Sequence, residues 1–327
     1  MNNEFEWIKS VSQPSYRHSS VKVGVGDDAA IYEPQKGYEQ VVTVDTMVEG
    51  VHFKKETVPA KATGYKALAV NLSDIAAMGG RPLYYLVSIA VPKRGWTQEE
   101  LREIYEGMHE LSEKWHVDLI GGDTVSTDDA LVITVTVIGE IKSGRRLLRS
   151  NAKAGDVLFI TGAAGSSAYG LEKLLEQGLK AADDPSLKPF LKAHQEPEPQ
   201  LQAGMLLAEA GCRLSLNDVS DGLAHEAKEI AEASGIDVII DWNRLPIHES
   251  FKEYSLEKQE SWVLYGGEDF QLTGTVSPED WESLSRLFSS KGLPLFRIGS
   301  VEPGSGKVYI EREGKKILAD KQGYHHF

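Results

Sequence analysis

Six short acidic motifs, each beside glycine or serine, constrain this chain more than any other feature. They are Gly26-Asp27-Asp28, Thr43-Val44-Asp45-Thr46, Ser73-Asp74, Gly121-Gly122-Asp123-Thr124, Asn217-Asp218-Val219-Ser220-Asp221-Gly222 and Gly266-Gly267-Glu268-Asp269. Each alone is a common turn signal or helix cap. A turn needs one Asp or Gly, however, and does not call for paired carboxylates. If the sites converge, they repel: two like charges about 4 Å apart cost roughly 4 kcal/mol at an effective dielectric near 20. A fold that gathers them must therefore hold cations. Short carboxylates on tight turns are the hard oxygen ligands that Mg²⁺ prefers, and glycine lets the backbone approach a phosphate. The pattern points to several Mg²⁺ ions bridging phosphates. Asp74 is the most telling singly. It falls one turn before the end of its predicted helix, where the macrodipole disfavours a negative charge that a cation would offset. Asn71 lies three residues earlier on the same face.

Charge and length narrow the classes further. The chain has 49 acidic and 35 basic side chains, a net charge of −14. That argues against a general basic surface for nucleic acid. Its 327 residues suggest two domains at roughly 150 residues each. A hydrophobic content of 41% against 26% charged residues argues for a globular chain over a disordered one. The single cysteine, Cys212, excludes an internal disulfide and a cysteine zinc cluster, and points to a reducing, cytoplasmic setting. Met1 to Ser10 is acidic with no apolar core, so no signal peptide is expected. The longest apolar stretches, Leu83–Val91 and Leu131–Ile138, are too short to span a bilayer.

The pattern alternates strands and helices. Val41–Thr46 is a β-branched strand, and Ala62–Met78 a helix stopped by Gly79-Gly80. A helix with a capping box from Thr97 to Glu100 follows, then a strand over Leu131–Ile141. Lys142–Asp156 has little periodicity and marks a domain boundary. Beyond it come a strand at Val157–Thr161, the glycine-rich GAAGSSAYG and a helix. The segment 181–200, with four prolines and many charges, reads as a solvated helix–loop excursion. Strands at Arg213–Leu216, Ile236–Asp241 and Gln271–Val276 alternate with helices at Leu223–Ser234 and Pro278–Ser289. Two or three short strands close the chain.

Nucleotide-binding motifs of the P-loop and protein-kinase types are absent from the sequence. GAAGSSAYG precedes a helix and is a weak candidate anion cradle. Arg149 is a candidate bidentate phosphate clamp, although position alone favours an exposed linker arginine. Tyr105 lies on an apolar helical stripe, which favours core packing over base stacking. His52 follows the Asp45 turn. A serine-hydrolase reading lacks GxSxG, and Cys212 has no thiol-nucleophile context.

Together, GVGDDAAIY, VTVDTMVEGVHF, YKALAVNLSDIAAMGGRP, LIGGDTV, RSNAKAGD, LNDVSDGL, LYGGEDFQL and the terminal GYHHF resemble the thiamine-monophosphate kinase family, in family order from Gly24 to Phe327. The resemblance implies an α+β chain of the two-domain aminoimidazole ribonucleotide synthetase-like fold. Residues 1–147 would form an N-terminal metal- and ATP-binding domain whose strands pair across a homodimer. Residues 148–327 would form an α/β domain completing the active site. It implies Mg²⁺-dependent phosphorylation of thiamine monophosphate by ATP to thiamine diphosphate, with no nucleic-acid or membrane partner. Asp28 and Asp45 resemble Mg²⁺ ligands, with Thr43 lending an oxygen and Asp27 beside them. Asp74 and Asp123 resemble further metal ligands, and Gly122-Asp123 also borders the nucleotide. Asp218 and Asp221 match the metal-binding pair of the second domain, with Ser220 between them as an ATP contact. Arg149 resembles an ATP phosphate contact and Tyr105 a nucleotide contact. His52, Glu268 and the tail at Tyr324, where Lys321 matches equally well, resemble substrate contacts. Selenophosphate synthetases carry a reactive Cys or selenocysteine near the N-terminus, where this chain has none, and hydrogenase-maturation relatives end in cysteine, whereas this chain ends His-His-Phe.

A phosphate monoester has a second pKa of about 6 and is largely dianionic at neutral pH. Direct in-line transfer is therefore expected, with no general base, no phosphoenzyme and no catalytic side chain. The alternatives are an ATP-dependent ligase or cyclase of the same fold, and a non-catalytic Mg-nucleotide scaffold.

Overall fold

A computed structural model describes residues 4–13, 15–26 and 29–319. Asp27, Asp28, Lys321 and Tyr324, named above as candidates, lie outside the described residues. The N-terminal half runs α1 (Glu4–Val11), β1 (Val21–Val23), β2 (Ile31–Tyr32), β3 (Tyr38–Val48), α2 (Ala60–Ala77), β4 (Arg81–Pro92), α3 (Gln98–Trp115), β5 (Asp118–Thr127) and β6 (Val132–Lys142). Strands β3 and β6, both β-branched, pair antiparallel from Tyr38 opposite Lys142 to Val48 opposite Val132. Strands β4 and β5 pair in parallel, and α3 supplies the crossover such a pair requires. The sheet order is β3-β6-β4-β5, with β1 and β2 forming a separate ribbon.

Helix α2 is buried nearly all round rather than along one stripe. On one side it packs against α3, where Gly64 and Gly107 remove the side chains that would keep the helices apart. A Cβ on Gly64 would stand 1.7 Å from the Ile104 carbonyl oxygen, and one on Gly107 would stand 1.9 Å from that of Lys61. The helix ends as its glycines predict, with Gly79 at φ +74° and the Gly80 amide bonding back to the Ile75 carbonyl at 2.8 Å. The expected capping box at Thr97 and Glu100 opens α3.

The second half runs β7 (Val157–Ile160), α4 (Ser166–Gln177), α5 (Lys188–Gln195), α6 (Leu201–Glu209), β8 (Leu214–Asp218), α7 (Leu223–Ser234), β9 (Ile236–Asp241), α8 (Leu256–Val263), β10 (Leu272–Val276), α9 (Pro278–Ser290), β11 (Phe296–Pro303), β12 (Val308–Arg312) and β13 (Lys315–Leu318). Its seven-stranded sheet has the order β13-β12-β9-β11-β7-β10-β8. The core on α2 continues into this half through Leu201, Leu207, Leu216 and Val276. A second core, with Phe190, Phe251 and Trp262, lies wholly within it.

The expectation of a solvated excursion at 181–200 is corrected. Ala181, Leu187, Phe190, Leu191 and His194 are buried, and Phe190 stacks on Phe251 with ring centroids 5.6 Å apart. Residues 187, 190, 191 and 194 recur at helical spacing. The prolines flank α5 or sit in its first turn, where a missing amide hydrogen costs nothing.

Candidate active site

Period-two alternation turns Val42, Val44 and Thr46 of β3 outward and Thr43, Asp45 and Met47 towards α2. Thr43 Oγ1 donates to Asp74 Oδ2 on the last turns of α2. One residue before Asp74, Ser73 Oγ donates to Asp218 Oδ2 at 2.7 Å, at the end of β8. Helix α2 thereby joins an edge strand of the first half to a strand end of the second. Asp45, Asp74, Asp218, Ser220 and Asp221 line one cavity of about 940 Å³, which His52 and Glu268 also line.

The electrostatics match the gathering of charges. Burial, then the neighbouring Asp74, push Asp45 up to about 7. Burial and Asp74 do the same to Asp218, also to about 7. Burial raises Asp74 itself, against the hydrogen bond from Thr43 and the charge of Arg149. Crowding and burial thus disfavour the ionised forms of these carboxyls, a cost that a bound divalent cation would offset. The donor set is all hard oxygen, the chemistry that suits Mg²⁺. Asn71, fully buried one turn before Asp74, bonds Ala67 through Nδ2 at 3.1 Å while its Oδ1 has no hydrogen-bond partner among the described residues. That orphaned oxygen is an unmet acceptor one helical turn from Asp74. Asp45, Asp74, Asp218 and Asp221, which line the cavity together, could hold such ions, with Thr43 beside Asp74.

The loop after β8 adds a layer that sequence reading missed. Glu226 accepts from the Asp221 amide at 3.0 Å and from Ser220 Oγ at 3.2 Å. Burial, then Asp218, push it up to about 9. Asp221, His225 and Glu226 bring their ligand atoms within 4.8 Å of one another. Asn217 donates to Glu226 and accepts from Arg149 Nε at 2.9 Å. Arg149 Nη2 also lies 3.0 Å from Glu229. Arg149 is therefore tethered beside the β8 strand end and is no loose linker arginine. Nothing in the DGLAHE pattern beyond its acidity marks Glu226 for this place.

The YGGEDF loop wraps the loop after β8. The Glu268 amide bonds the Ser220 carbonyl at 2.7 Å, and the Phe270 amide that of Val219 at 2.8 Å. A Cβ on Gly267 would stand 2.3 Å from the Ser220 oxygen, which explains the glycine. Glu268 and Phe270 adopt φ values of +64° and +47°, strained for non-glycine residues and held by these contacts. Asp269 accepts from the amides of Gly165 and Ser167 at 2.6 and 3.0 Å. The GAAGSSAYG helix terminus, a candidate anion cradle by sequence, is thus already satisfied by the chain's own carboxylate.

The remaining candidates separate. His52 lines the main cavity and its Nδ1 accepts from the Val48 amide at 3.0 Å, so the neutral ring carries its proton on Nε2. Tyr105, Gly122 and Asp123 meet instead in a crevice of about 60 Å³ towards the β5 edge. Tyr105 is half-buried there, edge-on to Trp7 at 5.9 Å. Asp123 is exposed and, among the described residues, does not line the cavity that holds Asp45, Asp74, Asp218 and Asp221.

Residues 26–141 match the family model of the AIR synthase related protein N-terminal domain, and residues 153–311 that of the C-terminal domain. The thiamine-monophosphate kinase of Bacillus subtilis is 50% identical over 326 residues, covering 99% of both chains. The crystal structure of thiamine-monophosphate kinase from Stenotrophomonas maltophilia superposes with a TM-score of 0.81 at 32% identity, over 91% of this chain and 93% of that one. A structure of AaThiL complexed with AMPPCP and TMP superposes with a TM-score of 0.77 at 30% identity, over 93% and 92%.

Proposed function

Because the chain belongs to the AIR synthase related family, and within it to the thiamine-monophosphate kinases, we propose that its buried carboxylate cluster serves the transfer of the ATP γ-phosphoryl group to thiamine monophosphate. The gathering of Asp45, Asp74, Asp218 and Asp221 on one cavity carries this reading. The relatives' ligands support the two substrates. Mg²⁺ on these residues would neutralise phosphate charge and stabilise the transferring group.

The chain's own residues do the remaining work. Ser73 and Thr43 hold Asp218 and Asp74 in place by donated hydrogen bonds. Glu226, bonded to the Asp221 amide and Ser220, sets the course of the loop after β8. Arg149, anchored on Asn217 and Glu229 beside the β8 strand end, contacts an ATP phosphate in this reading. His52 and Glu268 face the cavity as substrate contacts. The acceptor phosphate, with a second pKa of about 6, is already a nucleophile at neutral pH. No side chain need remove a proton, and no phosphoenzyme is required.

Tyr105, Gly122 and Asp123 border the nucleotide in this reading, and a homodimer accounts for their distance from the cluster. Val42 and Val44 are 62% and 58% exposed on β3, and Val125 is 48% exposed on β5. This open, partly apolar sheet face with two free edges suits pairing with a second copy. Division into domains at 147/148 is supported by the interval between the two family segments. The single Cys212 supports a cytoplasmic setting, and no helix among the described residues is long and apolar enough to cross a membrane.

Phosphorus NMR of the protein with ATP, Mg²⁺ and thiamine monophosphate tests the reading. A diphosphate ester signal growing in step with ADP is expected. ADP with free inorganic phosphate would replace it by a ligase-like reaction.

A further inference from the structure

Lys66 is ion-paired with Glu268, and the buried His194 meets the same carboxylate, in a chain that the phosphoryl transfer does not itself use. Lys66 stands on α2 and its side chain is 1% exposed. His194 stands on α5 and is 2% exposed. Lys66 Nζ lies 2.7 Å from Glu268 Oε1. His194 Nδ1 lies 3.2 Å from Glu268 Oε2 and 3.2 Å from Ser167 Oγ. Elements from both halves of the chain thus hold one carboxylate, each oxygen by its own partner. For stability alone, apolar residues would fill such a place as well as a buried ion pair does. Glu268, Ser167 and His194 all line the large cavity.

We propose that Lys66 and His194 are positioning residues, clamping both oxygens of Glu268 so that its carboxylate meets the cationic, ring-bearing end of thiamine monophosphate in one orientation. This rests on the reading of Glu268 as a substrate contact. Lys66 and Asp74 are eight residues apart on α2, about 12 Å of helix rise. Asp74 belongs to the carboxylates that attract metal-bound phosphate. Lys66 therefore works at the other end of a substrate of that length. The thiazolium of thiamine is permanently positive and its aminopyrimidine donates N–H bonds, so an anchored carboxylate complements both. The half-buried Tyr265 lines the same cavity and adds aromatic surface near Glu268. Burial would raise Glu268, but the Lys66 ammonium and His194 bring it down to about 2, which keeps it ionised.

Steady-state kinetics on the full chain test the proposal, with thiamine as a competitive inhibitor lacking the phosphate. Lys66→Met and His194→Leu are each expected to raise KM for thiamine monophosphate and Ki for thiamine about tenfold, with kcat and KM for ATP changed less than about twofold. His194→Asn, whose Nδ2 stands near the place of the imidazole Nδ1, is expected to restore both constants to within about threefold of the parent. Unchanged KM overturns the proposal. So do kinetic constants that all worsen together with a falling Tm, since that is a structural role. A raised KM without a raised Ki puts the clamp at the phosphate and overturns the ring-end assignment. Glu268→Gln separates the two layers. If it leaves KM unchanged, Glu268 is no substrate contact; if it raises KM while the Lys66 and His194 variants do not, the positioning role alone fails. Where Lys66→Met does not fold, the His194 pair decides.

Discussion

At the scale of the residue, like charges held together leave a measurable mark. Asp45→Asn keeps the shape of the side chain and removes one charge from the cluster. Turnover is expected to fall by about 10²–10³, the range for losing a group that stabilises transition-state charge. The metal-free protein should melt at the same temperature or higher, because repulsion is relieved. Mg²⁺ should raise Tm in the parent through linkage, and less in the variant. Thermal melts with and without Mg²⁺, beside turnover, check this; undiminished turnover would refute the carboxylate cluster as the working site. Asp118 is the opposite kind of carboxylate. Burial would raise it, but the amides of His18 and Arg17 and the side chains of Gln13 and Arg17 hold it below its usual range. Its contribution to stability is present above the ordinary carboxylate pKa and is lost as pH falls through the lowered folded value. Asp118→Asn should therefore cost about 1–3 kcal/mol near pH 7. The gap to the parent should narrow in acid, as urea melts at pH 7 and pH 3 would show. A gap independent of pH would contradict this account.

At the scale of the element, α2 positions the site because it is gripped on several sides. Its inner residues carry Lys66, Ser73 and Asp74, and its fit against α3 depends on two glycines. Gly107→Ala puts a methyl group where the Lys61 carbonyl oxygen stands. The helices must part, at a cost of about 1–3 kcal/mol or more. A lowered Tm is expected, with lowered turnover in the protein that remains folded, because Ser73 and Asp74 move with the helix. Calorimetry and kinetics on the same preparation check both. A variant as stable as its parent would mean that α2 and α3 can slide without penalty.

At the scale of the molecule, the four-stranded sheet separates two groups of nucleotide-site candidates. Asp45 stands on the β3 edge and Asp123 on the β5 edge, with two strands between. At about 4.8 Å per strand spacing, a single copy keeps them roughly 14 Å apart across the sheet. Pairing of sheet edges between two copies would bring the β5 edge of one to the β3 edge of the other. If sites are shared in this way, Asp45→Asn and Asp123→Asn subunits, each inactive alone, should regain about a quarter of parental activity when mixed and refolded together. Half the dimers would be mixed, each with one intact site of two. No recovery in mixed dimers would place each site within one copy.

Local chemistry was legible without coordinates. The glycine stop of α2, the capping box of α3, the β-branched strands and the helices read at 223–234 and 278–289 follow from neighbours a few residues apart. The acidic turns were legible as a group, because paired carboxylates exceed what a turn needs. What reads from sequence is what short-range sterics, hydrogen bonding and periodicity decide. The partners of those groups depended on packing. No motif singles out Lys66, and His194 lies in a proline-bounded segment that reads as solvated. Only the folding of α2 and α5 against the YGGEDF loop makes them buried partners of Glu268. The same packing filled the α4 terminus with Asp269 and kept Asp123 apart from Asp45. Burial and charge proximity between distant residues are set by three-dimensional distance, which neither spacing nor composition records.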